Sequence, residues 1–139
     1  MRDLRLSQAL VLRVDALSNG ALALFLLAAT WDRLYEFFGL PLPEPPFYAQ
    51  LLGAALVAFA VVEWTLAGSP AERAVTLAAT VGNALATAVL AVWLLAEGGE
   101  VDAHGLVALC SVVAFLGLAA AIHAVVLVRG STAPSGLGS

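Results

Sequence analysis

Three residues in this chain combine proton-exchanging chemistry with apolar surroundings: Asp15, Glu63 and His123. Glu63 lies in AQLLGAALVAFAVVEWTLAG (residues 49–68), about one turn from its end. An ionisable group inside hydrocarbon costs roughly 2.5–3.5 kcal/mol on insertion scales, so it either has a partner or marks a functional site. Asp15 follows Arg13 in an earlier apolar stretch and forms a polar patch with Ser18 and Asn19, while His123 stands in the last such stretch. A third stretch contributes Thr76, Thr80, Asn83 and Thr87, spaced 4, 3 and 4, which puts all four on one helical face. Two chemistries fit these types. A guanidinium against a carboxylate makes a structural ion pair, and a histidine beside an acid makes a proton donor and acceptor.

Other chemistries are excluded. The sequence contains no G-x-S-x-G, H-E-x-x-H, Walker or C-x-x-C motif and no dinucleotide fingerprint after a strand. His104 and His123 are 19 residues apart, about 28 Å along one helix, and cannot share a metal. Cys110 is the single cysteine, so an intrachain disulfide and c-type haem attachment are ruled out. It reads as a small packing residue. No metal and no cofactor is implied.

The elements that must carry these residues follow from composition. Of 139 residues, 62% are hydrophobic and 12% charged, with mean hydropathy +0.98, far from the balance of a water-soluble domain. A hydrocarbon core about 30 Å thick needs about 20 helical residues. Four stretches meet that length, over about 9–30, 49–68, 70–96 and 103–128. The expected fold is therefore all-α, a polytopic four-helix transmembrane bundle forming one domain over residues 1–129. The tail 130–139 lacks apolar periodicity and is expected to be disordered. A basic segment before an apolar one also outlines a signal peptide, but the first stretch is too long and holds a charge pair.

The connections carry their own signals. The proline-rich loop 31–48 holds Trp31, Tyr35, Phe37, Phe38, Phe47 and Tyr48, which suit a headgroup belt, as does Trp93. Within it, residues 31–38 fit a short interfacial helix stopped by Gly39 and Pro41. Ser69, Pro70 and Glu72 read as a capping box that starts the third helix and folds it back on the second as a hairpin. In the acidic turn 97–105, Asp102 is placed to cap the fourth helix.

Orientation follows from arginine, since lysine is absent. Arg2, Arg5, Arg73 and Arg129 share one side with Arg13 near it, and only Arg33 lies on the other. By the positive-inside rule both termini are cytoplasmic. The acids then dominate the outer face, which with a formal charge of −4 argues against nucleic acid as a partner. Counted from the inner ends, Asp15 lies about 9 Å deep, Glu63 about 6–8 Å and His123 about 9 Å. Arg13 either snorkels to the headgroups or turns inward. The expected arrangement is an inner-leaflet polar cluster of Arg13, Asp15, Asn19, Glu63, Asn83 and His123, with Arg13 paired to Glu63. The interior threonine stripe Thr76, Thr80 and Thr87 lies beside it, with Val75, Leu85 and Leu90 facing lipid.

LRVDALSNGALAL (residues 12–24), the proline-rich outer loop, VVEWTLAG (residues 61–68) and GNALA (residues 82–86) together resemble small four-helix bacterial membrane proteins of the DoxX-like kind. The resemblance spans about residues 9–128 and implies a fold more than an activity. Some members of that family are linked to respiratory or redox membrane complexes. The expected setting is multi-pass in the bacterial inner (plasma) membrane, with the lipid bilayer as partner and a homo-oligomer or a membrane complex as further partners. Three functions stay open: a non-enzymatic accessory subunit whose polar cluster fixes the bundle or docks a partner, a dimeric proton-coupled transporter of small solutes, and an intramembrane enzyme acting on a lipid or quinone.

Overall fold

A computed structural model describes residues 7–97 and 101–131. The described chain is helical throughout: α1 Gln8–Leu27, α2 Asp32–Phe37, α3 Pro46–Leu66, α4 Glu72–Glu97 and α5 Ala103–Ser131. α1, α3, α4 and α5 are each long and apolar enough to cross a membrane, and α2 is the short helix between the first two crossings. This is the architecture of a multi-pass membrane protein. Residues 1–6, 98–100 and 132–139 lie outside the described set, and with them Arg2, Arg5, three residues of the acidic turn and all of the tail expected to be disordered except Gly130 and Ser131, which end α5 instead.

Local chemistry sets the helix ends. Ser7 accepts a hydrogen bond from the Leu10 amide at 3.2 Å and so starts α1 as an N-cap. α1 ends at Leu27, and beyond α2 the chain turns at Gly39, which adopts φ 64°, a left-handed conformation that glycine enters without steric penalty. Pro46 opens α3, where its missing amide donor is no loss. At the 67–71 turn the Ser69 hydroxyl accepts from the Ala71 amide at 3.2 Å and the Glu72 carboxylate accepts from the Gly68 amide. The two side chains thus reach amides one residue earlier than in a standard capping box, and α4 begins at Glu72, not at residue 70. Asp102 caps α5 by accepting from the Gly105 amide at 2.7 Å.

α1 packs along α3, and α4 along α5, so the bundle is two tight hairpins. The expected α3–α4 hairpin is joined by a short turn but packs only sparsely, because each of its members is engaged on its other side. Close approach between α1 and α3 requires Gly53: a methyl group there would stand 3.0 Å from the Ala23 carbonyl and 3.0 Å from Leu27. Small residues serve this purpose in membrane bundles, where packing replaces the hydrophobic effect as the driving force. Gly105 does the same for the loop, since a methyl there would strike the Gly39 carbonyl.

The apolar core has two parts. Leu12, Val75 and Ala79 join α1 and α4 at one end, with Phe59 and Leu66 against them. Ala29, Tyr35 and Ala49 close the other end, flanked by Phe25 and Leu40. Two expectations are corrected here. Val75 is buried, not lipid-facing, because α4 meets α1 as well as α5 at that end and its inward arc is wider; Leu85 does face outward and Leu90 is half-buried. Tyr35 leaves the aromatic belt and is buried, its ring 4.7 Å from that of Phe25, and this burial pushes its phenol pKa up. Trp31, Phe37, Phe47 and Tyr48 remain exposed. Cys110 also faces outward and takes no part in packing.

Candidate functional site

α1 is the hub. A third of its spanning window (33%) is buried, against 22% for α4 and 11% for each of α3 and α5, and, like α4, it touches the three other spanning helices. Its inner face reads Leu12, Asp15, Ala16, Asn19 and Ala23, all buried, a stripe at helical spacing that carries two polar groups into the interior. α3 adds Glu63, α4 adds Asn83 and α5 adds His123. Every spanning helix supplies a polar side chain to one buried cluster, with Asp15 3%, Asn19 5%, Glu63 0%, Asn83 7% and His123 1% exposed.

The hydrogen bonds are specific. Asn19 donates from Nδ2 to Glu63 Oε2 at 3.0 Å and ties α1 to α3. Asn83 donates from Nδ2 to both Asp15 oxygens, at 3.2 and 3.0 Å, and ties α4 to α1 across the gap between the hairpins. His123 Nε2 stands 3.8 Å from Asp15 Oδ2, too far for a hydrogen bond but within ion-pair distance when the imidazole is protonated. The Glu63 carboxyl also faces that of Asp15. Two buried atoms in the cluster have no hydrogen-bond partner among the described residues: Glu63 Oε1 and His123 Nε2.

The expected Arg13–Glu63 pair is absent. Arg13 points outward, with its guanidinium carbon 5.8 Å from the centre of the Trp64 ring, a cation–π contact at the helix surface. Depth was right and direction was not: residues two apart on a helix diverge by about 200°, so Arg13 and Asp15 cannot both face inward. Arg13 therefore lies outside the polar cluster, which comprises Asp15, Asn19, Glu63, Asn83 and His123.

On the threonine stripe, Thr76 is fully buried and Thr80 and Thr87 are half-buried. Their hydroxyls donate to the carbonyls of Glu72, Thr76 and Asn83, four residues back on α4 itself. None of these bonds crosses to another helix, so the stripe packs through its methyl groups, and within the row Thr76, Thr80, Asn83 and Thr87 it is Asn83 that bonds across. Ser18 likewise donates to its own helix, to the Val14 carbonyl.

Beside the cluster, the seam between α1 and α5 opens into an apolar crevice of about 200 Å³ in which Asp15 and His123 form the polar end. A second hollow of about 230 Å³, reaching Asn19, lies further along the same seam, and Phe115 lines both. These apolar wall residues were not foreseen from the sequence. The one available signal was that α5 presents Phe115, Leu118 and Ile122 at spacings of three and four on the flank of His123.

Among the described residues no three His, Cys, Asp or Glu side chains converge closely enough to hold a metal ion. No protein-family model, curated protein or solved structure matches this chain. The geometry is what remains to be interpreted. Two carboxyl groups are acceptors only, and placing them face to face leaves Glu63 Oε1 without a donor; one proton between them supplies an O–H···O bond and removes their repulsion. A neutral imidazole has one donor and one acceptor nitrogen, and becomes a cation beside Asp15 on taking a proton.

Proposed function

We propose that this protein is a small proton-coupled transporter of the bacterial plasma membrane, with both termini cytoplasmic, in which Asp15, Glu63 and His123 hold the exchanging proton. The observation that carries the reading is that two carboxyl groups and an imidazole share one buried site in which, among the described residues, neither acid is bonded to an arginine and Glu63 Oε1 and His123 Nε2 have no hydrogen-bond partner. A purely structural pair would be complete, since a buried charge left without its partner is strongly destabilising. A site that gains and loses a proton is unsatisfied in one of its states. Asn19 and Asn83 hold the two carboxyls in place in either state, because their amides donate to oxygens that accept whether or not the acid is ionised.

The accessory-subunit reading is favoured by one feature of its own. Asn19–Glu63 ties α1 to α3 within one hairpin, and Asn83 bonded to both Asp15 oxygens ties α4 to α1, so the cluster also fixes the two hairpins against each other. The two roles make different demands on protonation. Infrared difference spectra of the protein in detergent, recorded between acid and alkaline buffer, should show a protonated-carboxyl band that disappears on raising the pH and is altered in Glu63→Gln. A spectrum with no titrating carboxyl band assignable to Glu63 or Asp15 would reject the transporter reading and leave the structural one.

A further inference from the structure

The α1–α5 seam has the attributes of a ligand site that the proton cluster alone does not need. Val14 on one side and Phe115, Leu118 and Ile122 on the other wall an apolar crevice of about 200 Å³ that ends on Asp15 and His123. Cavities of about 150 Å³ lined by aliphatic and aromatic side chains take a benzene molecule, so this one has room for a single ring with a short substituent. Its walls belong to the outward surface of two helices, and the route in is lateral, from lipid.

The inner end defines the polar group. Asp15 Oδ2 and His123 Nε2 are 3.8 Å apart, and His123 is buried with no hydrogen-bond partner at Nε2 among the described residues. Two acceptors at that separation are both within hydrogen-bond reach of one nitrogen placed between them. The charged and titratable groups around the point are Asp15 from α1, Glu63 from α3 and His123 from α5, while α4 contributes the neutral Asn83; Arg13 faces away against Trp64. The end of the crevice is thus rich in acceptors and in negative charge. A hydroxyl offers one donor and no charge. A quaternary ammonium offers charge and no donor. A primary ammonium offers both.

We propose that the crevice binds a lipophilic primary amine in its ammonium form, the nitrogen bridging Asp15 and His123 and the ring lying against Phe115. This rests on the proton-exchange reading above, because the arriving cation replaces a proton held by the cluster: one ammonium enters, one proton leaves, and the net charge of the site is unchanged.

Calorimetric titration of the detergent-purified protein with three probes of nearly equal size tests the assignment. Benzylamine should bind at least tenfold more tightly than benzyl alcohol or benzyltrimethylammonium, and should release about one proton per molecule bound in weak buffer. In Asp15→Asn the preference for benzylamine over benzyl alcohol should disappear, with folding of the variant checked by its melting temperature. Equal binding of benzyl alcohol would overturn the requirement for charge. Equal binding of benzyltrimethylammonium would overturn the requirement for N–H donors, and no binding of any probe would overturn the site itself. The infrared titration of the carboxyls, made with no probe present, is independent of all three, so a cluster that titrates but binds no amine removes this proposal and leaves the proton reading standing.

Discussion

At Glu63 the two accounts of a buried acid lead to opposite mutational outcomes. Had Arg13 been its partner, Glu63→Gln would have left a guanidinium uncompensated. In the structure Glu63 accepts from Asn19 through Oε2, its Oε1 has no donor among the described residues, and its carboxyl stands beside that of Asp15. Glutamine keeps the acceptor for Asn19 and adds an amide donor toward Asp15, supplying the hydrogen that Oε1 lacks. Glu63→Gln is therefore expected to hold or raise the melting temperature in detergent, whereas Glu63→Ala leaves the buried Asn19 donor unpaired and should cost about 1–3 kcal/mol. Combining Arg13→Ala with Glu63→Gln should give additive effects, because the two side chains share no partner. A coupling above about 0.5 kcal/mol in that double-mutant cycle would contradict the observed placement of Arg13. The residue-level lesson is about angle. Counting 1.5 Å per residue put Asp15, Glu63 and His123 at one depth, and that much was legible. Which way each faced required knowing which helices were neighbours, and hydropathy cannot supply this when lipid and protein interior are equally apolar.

The same limit operates between elements. Four spans and the short interfacial helix could be read from apolar length, Gly39 and the prolines, and each appears within a few residues of its expected place. The pairing of α1 with α3 and of α4 with α5 could not, because it depends on small residues such as Gly53 whose meaning lies in what approaches them. Adding a side chain there tests the pairing. Gly53→Val pushes branched carbons into the Ala23 carbonyl and Leu27, and overpacking of this kind costs typically 1–3 kcal/mol, so the variant should melt well below the parent. By contrast Gly82→Ala meets no atom within 4 Å on the outer side of α4 and should be neutral or slightly stabilising through helix propensity. Cysteine scanning along α4 makes the facing explicit. Val75, Thr76 and Asn83 should resist a lipid-phase maleimide, and Leu85 and Val89, which are 60% and 70% exposed, should react; uniform labelling around α4 would rule out the observed packing.

For the whole molecule, the bundle is uneven in a way that bears on its work. Two tight hairpins meet more sparsely, across a polar centre and one apolar cluster of Leu12 with Val75 and Ala79, and the Asn83–Asp15 and His123–Asp15 approaches lie on that divide. A change in the charge of the cluster thus acts where the two halves are least tied together, while within each half the packing is close. Such an arrangement favours rigid-body movement of one hairpin against the other over deformation of either. The cluster lies toward one end of the bundle: Asp15 is seven residues into α1 and Glu63 three from the end of α3. Which side that is depends on topology. Arg73 and Arg129 lie at the cluster's end of α4 and α5, with Arg13 close by, and Arg33 is at the opposite end, so the positive-inside rule predicts that the cluster faces the cytoplasm. Reporter fusions at Gly130 and within residues 39–46 should then report cytoplasmic and periplasmic locations respectively. A periplasmic signal from Gly130 would invert the bundle. The proton on Asp15 and Glu63 would then be drawn from the outer face, and an amine entering the α1–α5 seam would meet its site from the outer leaflet.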